Sequence, residues 1–180
     1  MSPGAVSRRR ETAAVAGALR TYRRRVVSIE PPGRIDGGDV LVAGRTIFIG
    51  RSSRTNQTGL EQVERFVAPF SYAVREVEVR GSLHLKSGVT AVSDETLLVN
   101  RRTVATEPFR GFQLVDVDPD EPSGANIVRV HDCLLYSAAY PRTLERLVQL
   151  GFGVTAVDVS EIAKAEGAVT CCSLIFQNQE

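Results

Sequence analysis

Short runs of β-branched and aliphatic residues alternate along the chain with glycine-containing turns and with stretches of helical periodicity. Residues 39–43 and 46–50 are such runs and flank Gly44-Arg45, which predicts a tight hairpin. Residues 56–69 place Leu60, Val63, Phe66 and Val67 on one stripe and Glu61, Gln62, Glu64 and Arg65 on the other, the pattern of an amphipathic helix. Residues 74–79 then return as a strand. The same order recurs more loosely at 82–92 and 96–99 around Ser93-Asp94-Glu95, with a returning strand at 112–117. There Thr106-Glu107-Pro108-Phe109 leaves little room for a full helix. A third copy is cleaner: 126–130 and 133–136 make the hairpin, Pro141 opens a helix running to Leu150, and 154–159 closes the unit.

The copies open at Ile35-Asp36-Gly37-Gly38, Leu83-His84-Leu85, Ala125-Asn126-Ile127 and Val169-Thr170-Cys171, spaced about 42 to 48 residues apart, a period that signals a repeat architecture. If the units surround an axis, equivalent positions converge, and Asp36, His84 and Cys171 would meet although they are distant in sequence. Both ends of the chain read as partial units. The start supplies a helix over 11–19 and a closing strand at 26–29; the end supplies an opening strand at 168–176. Because an unclosed ring exposes pairing edges, the expectation is one domain over 1–180 with about three complete units, lacking about one and a half units at its N-terminus. A smaller, native ring is the alternative.

Composition narrows the function classes. With 180 residues and 43% hydrophobic content the chain can bury a real core, and a net charge of +1 argues against a dedicated polyanion binder. Arg8, Arg9, Arg10, Arg20, Arg23, Arg24 and Arg25 crowd the start, where a basic nucleic-acid arm competes with an amphipathic helix carrying Val15, Ala18, Leu19 and Tyr22. The helix is favoured, since no aromatic interleaving supports a nucleic-acid groove. No long apolar run is present, and MSPGAVSRRRE has charges where a signal peptide needs apolar residues, so a soluble, cytoplasmic protein without membrane association is expected. The three cysteines, Cys133, Cys171 and Cys172, fit neither a disulfide scaffold nor a zinc site and read as reduced thiols. Taken singly, His84 is an ordinary strand histidine, Asp36 a turn former and the cysteines buried small hydrophobes. Strand alternation sends Cys171 and Cys172 to opposite faces, so only one can face the axis.

Pro3-Gly4-Ala5-Val6-Ser7-Arg8-Arg9, Ile35-Asp36-Gly37-Gly38-Asp39-Val40-Leu41, Ser53-Arg54-Thr55-Asn56-Gln57, Leu83-His84-Leu85-Lys86-Ser87 and Thr170-Cys171-Cys172-Ser173 together resemble the dimethylarginine dimethylaminohydrolase family of the guanidino-group-modifying (pentein) superfamily, which includes arginine deiminase. The resemblance covers essentially the whole chain. It implies an α/β fold, a pseudo-fivefold α/β propeller of ββαβ units with the site on the axis. It implies hydrolysis of Nω-methylated arginine to citrulline and an amine, with Cys171 as nucleophile, His84 as general acid and base, and Asp36 orienting His84. The family carries Asp or Glu at the position of Asp36. Arg8 and Arg54 match positions that hold the α-carboxylate, and Ala165 one whose carbonyl meets the α-amino group. The family's Phe-x-Glu-Asp segment and an earlier aspartate, which grip the guanidinium, lie upstream of the first motif here, so an impaired site is expected. The implied partner is a small-molecule substrate, with no metal and no organic cofactor, and a homo-oligomer is compatible with the sequence. A non-catalytic remnant that binds amino acids or a partner chain, and an arginine deiminase-like hydrolase, are the alternatives. Lys86 and Asp132 carry charge to which no role attaches.

Overall fold

The computed structural model describes residues 10–171 and 173–176. Helix α1 (Glu11–Arg20) is followed by three units of one plan. The first unit holds β1 (Val40–Ala43), β2 (Thr46–Arg51), α2 (Gln57–Val67) and β3 (Ala73–Glu78). The second holds a one-turn helix α3 (Leu85–Gly88), β4 (Val89–Ala91), β5 (Thr96–Val99) and β6 (Gln113–Asp116). The third holds β7 (Ile127–Val130), β8 (Cys133–Ser137), α4 (Pro141–Gln149) and β9 (Gly153–Val157), and a short α5 (Ser160–Ala163) comes after it. Each unit is a three-stranded sheet in chain order. Its first two strands form an antiparallel hairpin, as in the pairing of Val40 with Ile49, and the third returns parallel to the second, as in Thr46 with Ala73. The parallel pairing explains the helix or 3-10 turn between the second and third strands, because a parallel return needs a crossover where an antiparallel one needs only a turn.

The middle strands β2 and β5 are buried on both faces, and their apolar runs are correspondingly continuous, while β8 leaves Cys133 and Leu135 half-buried on one face. β5 shows what this does to packing. Leu97 and Val99 join Phe48, Leu85, Val89 and Phe109 in a core between the first and second sheets. Leu98, facing the other way, joins Ile127, Leu134, Tyr136 and Leu147 in a core between the second and third. Phe48 anchors the first of these against Phe109 and Phe112, edge to face at centroid distances of 5.0 and 5.3 Å. The opening strands face one another across these cores, β1 against β4 and β4 against β7. Helix α2 closes the outside of the first sheet with Leu60 on Ile47 and Ile49.

Three expected strands do not form as such. Residues 26–29 adopt no strand, although Ile29 packs against the cluster of Ile35, Ile47, Ile49 and Leu60. Among the described residues of the apolar run 168–176 no strand forms: residues 169–171 turn, with Cys171 N–H donating to the Ala168 carbonyl (3.0 Å) and Ser173 N–H to the Thr170 carbonyl (3.2 Å). A strand needs a neighbouring backbone to complete its ladder, and the local turn satisfies these groups without one. The opening strand of the second unit is shorter than its apolar run, because Leu85–Gly88 winds into α3. The expected apolar stripe of α1 buries no residue, and Val15 is exposed.

Candidate active site

Asp36 stands at the end of a loop pinned by α2. Arg34 N–H donates to Asn56 Oδ1 (2.8 Å), the same oxygen caps α2 by accepting from Gly59 N–H (3.0 Å), and the Asn56 amide donates to the Pro32 carbonyl (2.9 Å). One turn on, buried Gln62 exchanges two hydrogen bonds with the Glu30 backbone, at 2.8 and 2.7 Å. Gly59 is required here, since a Cβ would run into the Arg34 carbonyl. The helix cap and the approach to Asp36 are thus one hydrogen-bonded unit.

His84 occupies the N-cap position of α3 in an extended conformation, φ −140° and ψ 158°. Its Nε2 lies 3.5 Å from Asp36 Oδ2, the two side chains being 16% and 9% exposed. Arg54, 29% exposed, brings a guanidinium nitrogen to 3.7 Å from the same oxygen. Asp36 Oδ2 and His84 Nε2 are both buried without a hydrogen-bond partner, so their 3.5 Å contact is the polar contact left to each in place of water. Leaving such atoms without hydrogen bonds costs roughly 1–3 kcal/mol each, a local cost of the kind found at functional sites. The nearby His84 imidazole holds the Asp36 carboxyl below the ordinary carboxylate range; burial opposes this, and the charge of Arg54 and the Gly38 N–H support it. Asp36 is therefore an anion at neutral pH.

Cys171 lies in an exposed turn, not on the expected strand. The residue before it is tied to the His84 segment by Asn126, which opens the third unit. Asn126 Nδ2 donates to the Lys86 carbonyl (2.9 Å) and to Thr170 Oγ1 (2.8 Å), while its Oδ1 accepts from Thr170 N–H (3.1 Å). Lys86, two residues beyond His84, feels this convergence. Burial lowers its pKa, and its electrostatic coupling to Cys171, Asp39 and Asp36 works in the opposite direction. Three of the four repeat openings therefore supply Asp36, His84 and the side chain that seats the fourth. Ala165 lies in the exposed turn after α5, its N–H on the Ile162 carbonyl (3.0 Å), carried by the same segment as Cys171. Arg8 and Cys172, and with them the expected separation of the two cysteines, lie outside the described residues. Cys133 sits in β8 with its sulfur 3.3 Å from Thr155 Oγ1. Among the described residues no group of three or more His, Cys, Asp or Glu is placed to hold a metal ion, and no helix is long and apolar enough to cross a membrane.

Sequence reasoning missed Asn126, Lys86 and Asp39 as parts of this arrangement. Asn126 was marked only by its place in the repeat. Asp39 was read as the start of an apolar strand, yet it is fully buried, and a carboxylate heading a run of Val and Leu is the one signal that could have flagged it.

No family model matches the chain. It is 35% identical over 175 residues to N(G),N(G)-dimethylarginine dimethylaminohydrolase of Pseudomonas aeruginosa, covering 97% of this chain and 69% of that one. It is 42% identical over 174 residues to the protein of the same name from Streptomyces coelicolor, covering 96% and 66%. The chain thus spans about two thirds of the length of these relatives. A Cys→Ser variant of the Pseudomonas protein in complex with citrulline superposes with a TM-score of 0.89 at 33% identity, over 97% of this chain and 69% of that chain. A dimethylarginine dimethylaminohydrolase His→Gly variant, as an adduct with S-methyl-L-thiocitrulline, superposes with a TM-score of 0.89 at 34% identity over the same shares.

Proposed function

The chain belongs to the dimethylarginine dimethylaminohydrolase family, and on that premise we propose that it hydrolyses Nω-methylated arginines to citrulline and dimethylamine or methylamine through a covalent cysteine intermediate. The observation that carries the reading is the buried, mutually dependent pair of Asp36 and His84, 3.5 Å apart, with Arg54 beside it and the Cys171 segment tied to α3.

The chemistry assigns each group a role. A guanidinium carbon is a poor electrophile, and a thiolate is the strongest nucleophile among the side chains. The Cys171 sulfur adds to that carbon, giving a tetrahedral adduct. His84 delivers a proton to the alkylated nitrogen, the carbon–nitrogen bond breaks, and dimethylamine or methylamine departs, leaving a thiouronium on the sulfur. His84, now neutral, takes a proton from water as the water oxygen adds to the same carbon. Collapse of this second adduct expels the thiolate, and loss of the remaining hydroxyl proton to the departing amine or solvent yields citrulline. Asp36, ionised and within 3.5 Å of His84 Nε2, stabilises the imidazolium formed in each cycle and fixes the ring's orientation. Arg54, partly exposed beside the pair, is suited to the α-carboxylate, with Arg8 as the second arm of a guanidinium clamp and the Ala165 carbonyl on the α-amino group. The three units would be successive blades of an α/β propeller with the reaction on its axis.

Citrulline formation from asymmetric dimethylarginine, monomethylarginine and arginine tests the proposal. The chain should release citrulline from the methylated substrates, and Cys171→Ser should abolish release while leaving the thermal midpoint unchanged. Absence of citrulline from the folded wild-type chain, or undiminished release by Cys171→Ser, would overturn it.

A further inference from the structure

We propose that Asp39 is the positioning residue of the site, a single buried carboxylate that sets the backbone of Asp36, Arg54 and His84 at once. Asp39 is fully buried, and three donors converge on it. Its Oδ1 accepts from Leu85 N–H at 2.9 Å, which starts α3 and fixes the residue directly after His84. Its Oδ2 accepts from Thr55 Oγ1 at 2.7 Å and from Ser52 Oγ at 2.6 Å, the short range typical of hydroxyls donating to a carboxylate. Each hydroxyl then passes the constraint on. Thr55 Oγ1 accepts from Asp36 N–H (3.1 Å), and Ser52 Oγ accepts from Arg54 N–H (3.0 Å).

The arrangement needs a carboxylate. Each hydroxyl accepts a backbone N–H from a site residue through a lone pair, and because an ionised carboxylate can only accept, the one hydrogen of each is given to Asp39. An asparagine at 39 with its nitrogen toward Leu85 would set donor against donor. Turned the other way, it would donate to both hydroxyls and strand their hydrogens in a dry interior. Gly50 makes room for the carboxylate, since a Cβ there would stand 3.1 Å from Asp39 Oδ1 and 2.8 Å from the Leu85 Cβ.

The inference rests on the proposed hydrolysis for its kinetic readout only. Asp39→Asn should lower kcat/KM by roughly 100-fold, the effect of about 1 Å of misplacement in reacting groups. The two arms should separate: Thr55→Val, which frees Asp36 N–H, should act mainly on kcat, Ser52→Ala, which frees Arg54 N–H, mainly on KM, and Thr55→Ser should restore the wild-type rate. A merely structural carboxylate would lower the folded fraction of every variant with kcat and KM of the remaining folded protein unchanged, and that result would overturn the proposal. A second readout does not depend on turnover. The chain has 2 histidines, so ring signals of His84 and His131 can be resolved by NMR. Asp39→Asn and Thr55→Val should shift the His84 ring signals and leave those of His131 in place; unmoved His84 signals in both folded variants would refute the positioning role. Should the wild-type chain make no citrulline, the proposed function fails while the His84 signals still decide the role of Asp39.

Discussion

Replacing Gly38 by alanine tests whether the His84 ring must stand where it does. A Cβ built on Gly38 would lie 2.5 Å from His84 Cγ and 2.8 Å from its Nδ1 and Cδ2. Unbonded carbons settle at roughly 3.5–4.0 Å, so the shortfall is about 1 Å. The turn cannot absorb it, since Asp39 N–H is bonded to the Asp36 carbonyl at 3.0 Å and the Asp39 side chain is locked by three donors. The imidazole is freer, since its Nε2 has no hydrogen-bond partner among the described residues and stands 3.5 Å from Asp36. The ring therefore swings by about 1 Å, a displacement that costs roughly 100-fold in rate, or about 2.7 kcal/mol of transition-state stabilisation. Steady-state citrulline release should show this loss in kcat, with stability lowered by about 1–3 kcal/mol from the overpacked ring and its disturbed contact with Asp36. Gly17→Ala, in α1 with nothing within 4 Å of the added carbon, is the matched control and should leave kcat as in the wild type. A Gly38→Ala protein that folds and turns over at the wild-type rate would refute the claim that the ring's position matters.

Other outcomes follow from the same geometry. Asn126→Ala removes three hydrogen bonds and leaves the Thr170 N–H and Lys86 carbonyl without that partner, which should cost about 2–4 kcal/mol in urea unfolding and reduce citrulline release by unseating the Cys171 segment. Glu121 caps α4 from a distant loop, accepting Arg142 N–H at 2.9 Å and Thr143 N–H at 2.8 Å. Burial pushes its pKa up, but the Thr143 hydroxyl and these two N–H groups outweigh it, and the net shift is downward. A carboxyl lowered in the folded state contributes stability above its unfolded pKa and loses it as pH falls through the folded one. Glu121→Gln should therefore lower stability by about 1–2 kcal/mol near neutrality, and the gap from wild type should close in acid, as read by thermal midpoints across pH. A gap constant with pH would show that the charge of Glu121 is not involved.

The hydrophobic pattern by itself determined the two hairpins of the first and third units, helices α2 and α4, and the period that set Asp36 and His84 at equivalent points. These features are local: alternation, helical stripes and glycine turns act within a few residues, and tertiary packing reinforced what they already favoured. Residues 168–176 and 82–88 show where such reasoning stops. The first run is apolar but forms turns, because pairing requires a neighbouring backbone and sequence does not say whether one is in reach. The second reads as strand, yet a carboxylate from Asp39, far back in the chain, takes the Leu85 N–H and starts a helix there. The candidate site divides the same way. Place in the repeat marked Asp36, His84 and Cys171, and the family resemblance added Arg54, since their chemistry is carried by their own side chains. Asp39 and Asn126 act by holding other residues in place, and only the folded chain brings them to the groups they hold, so their roles became visible in the tertiary structure.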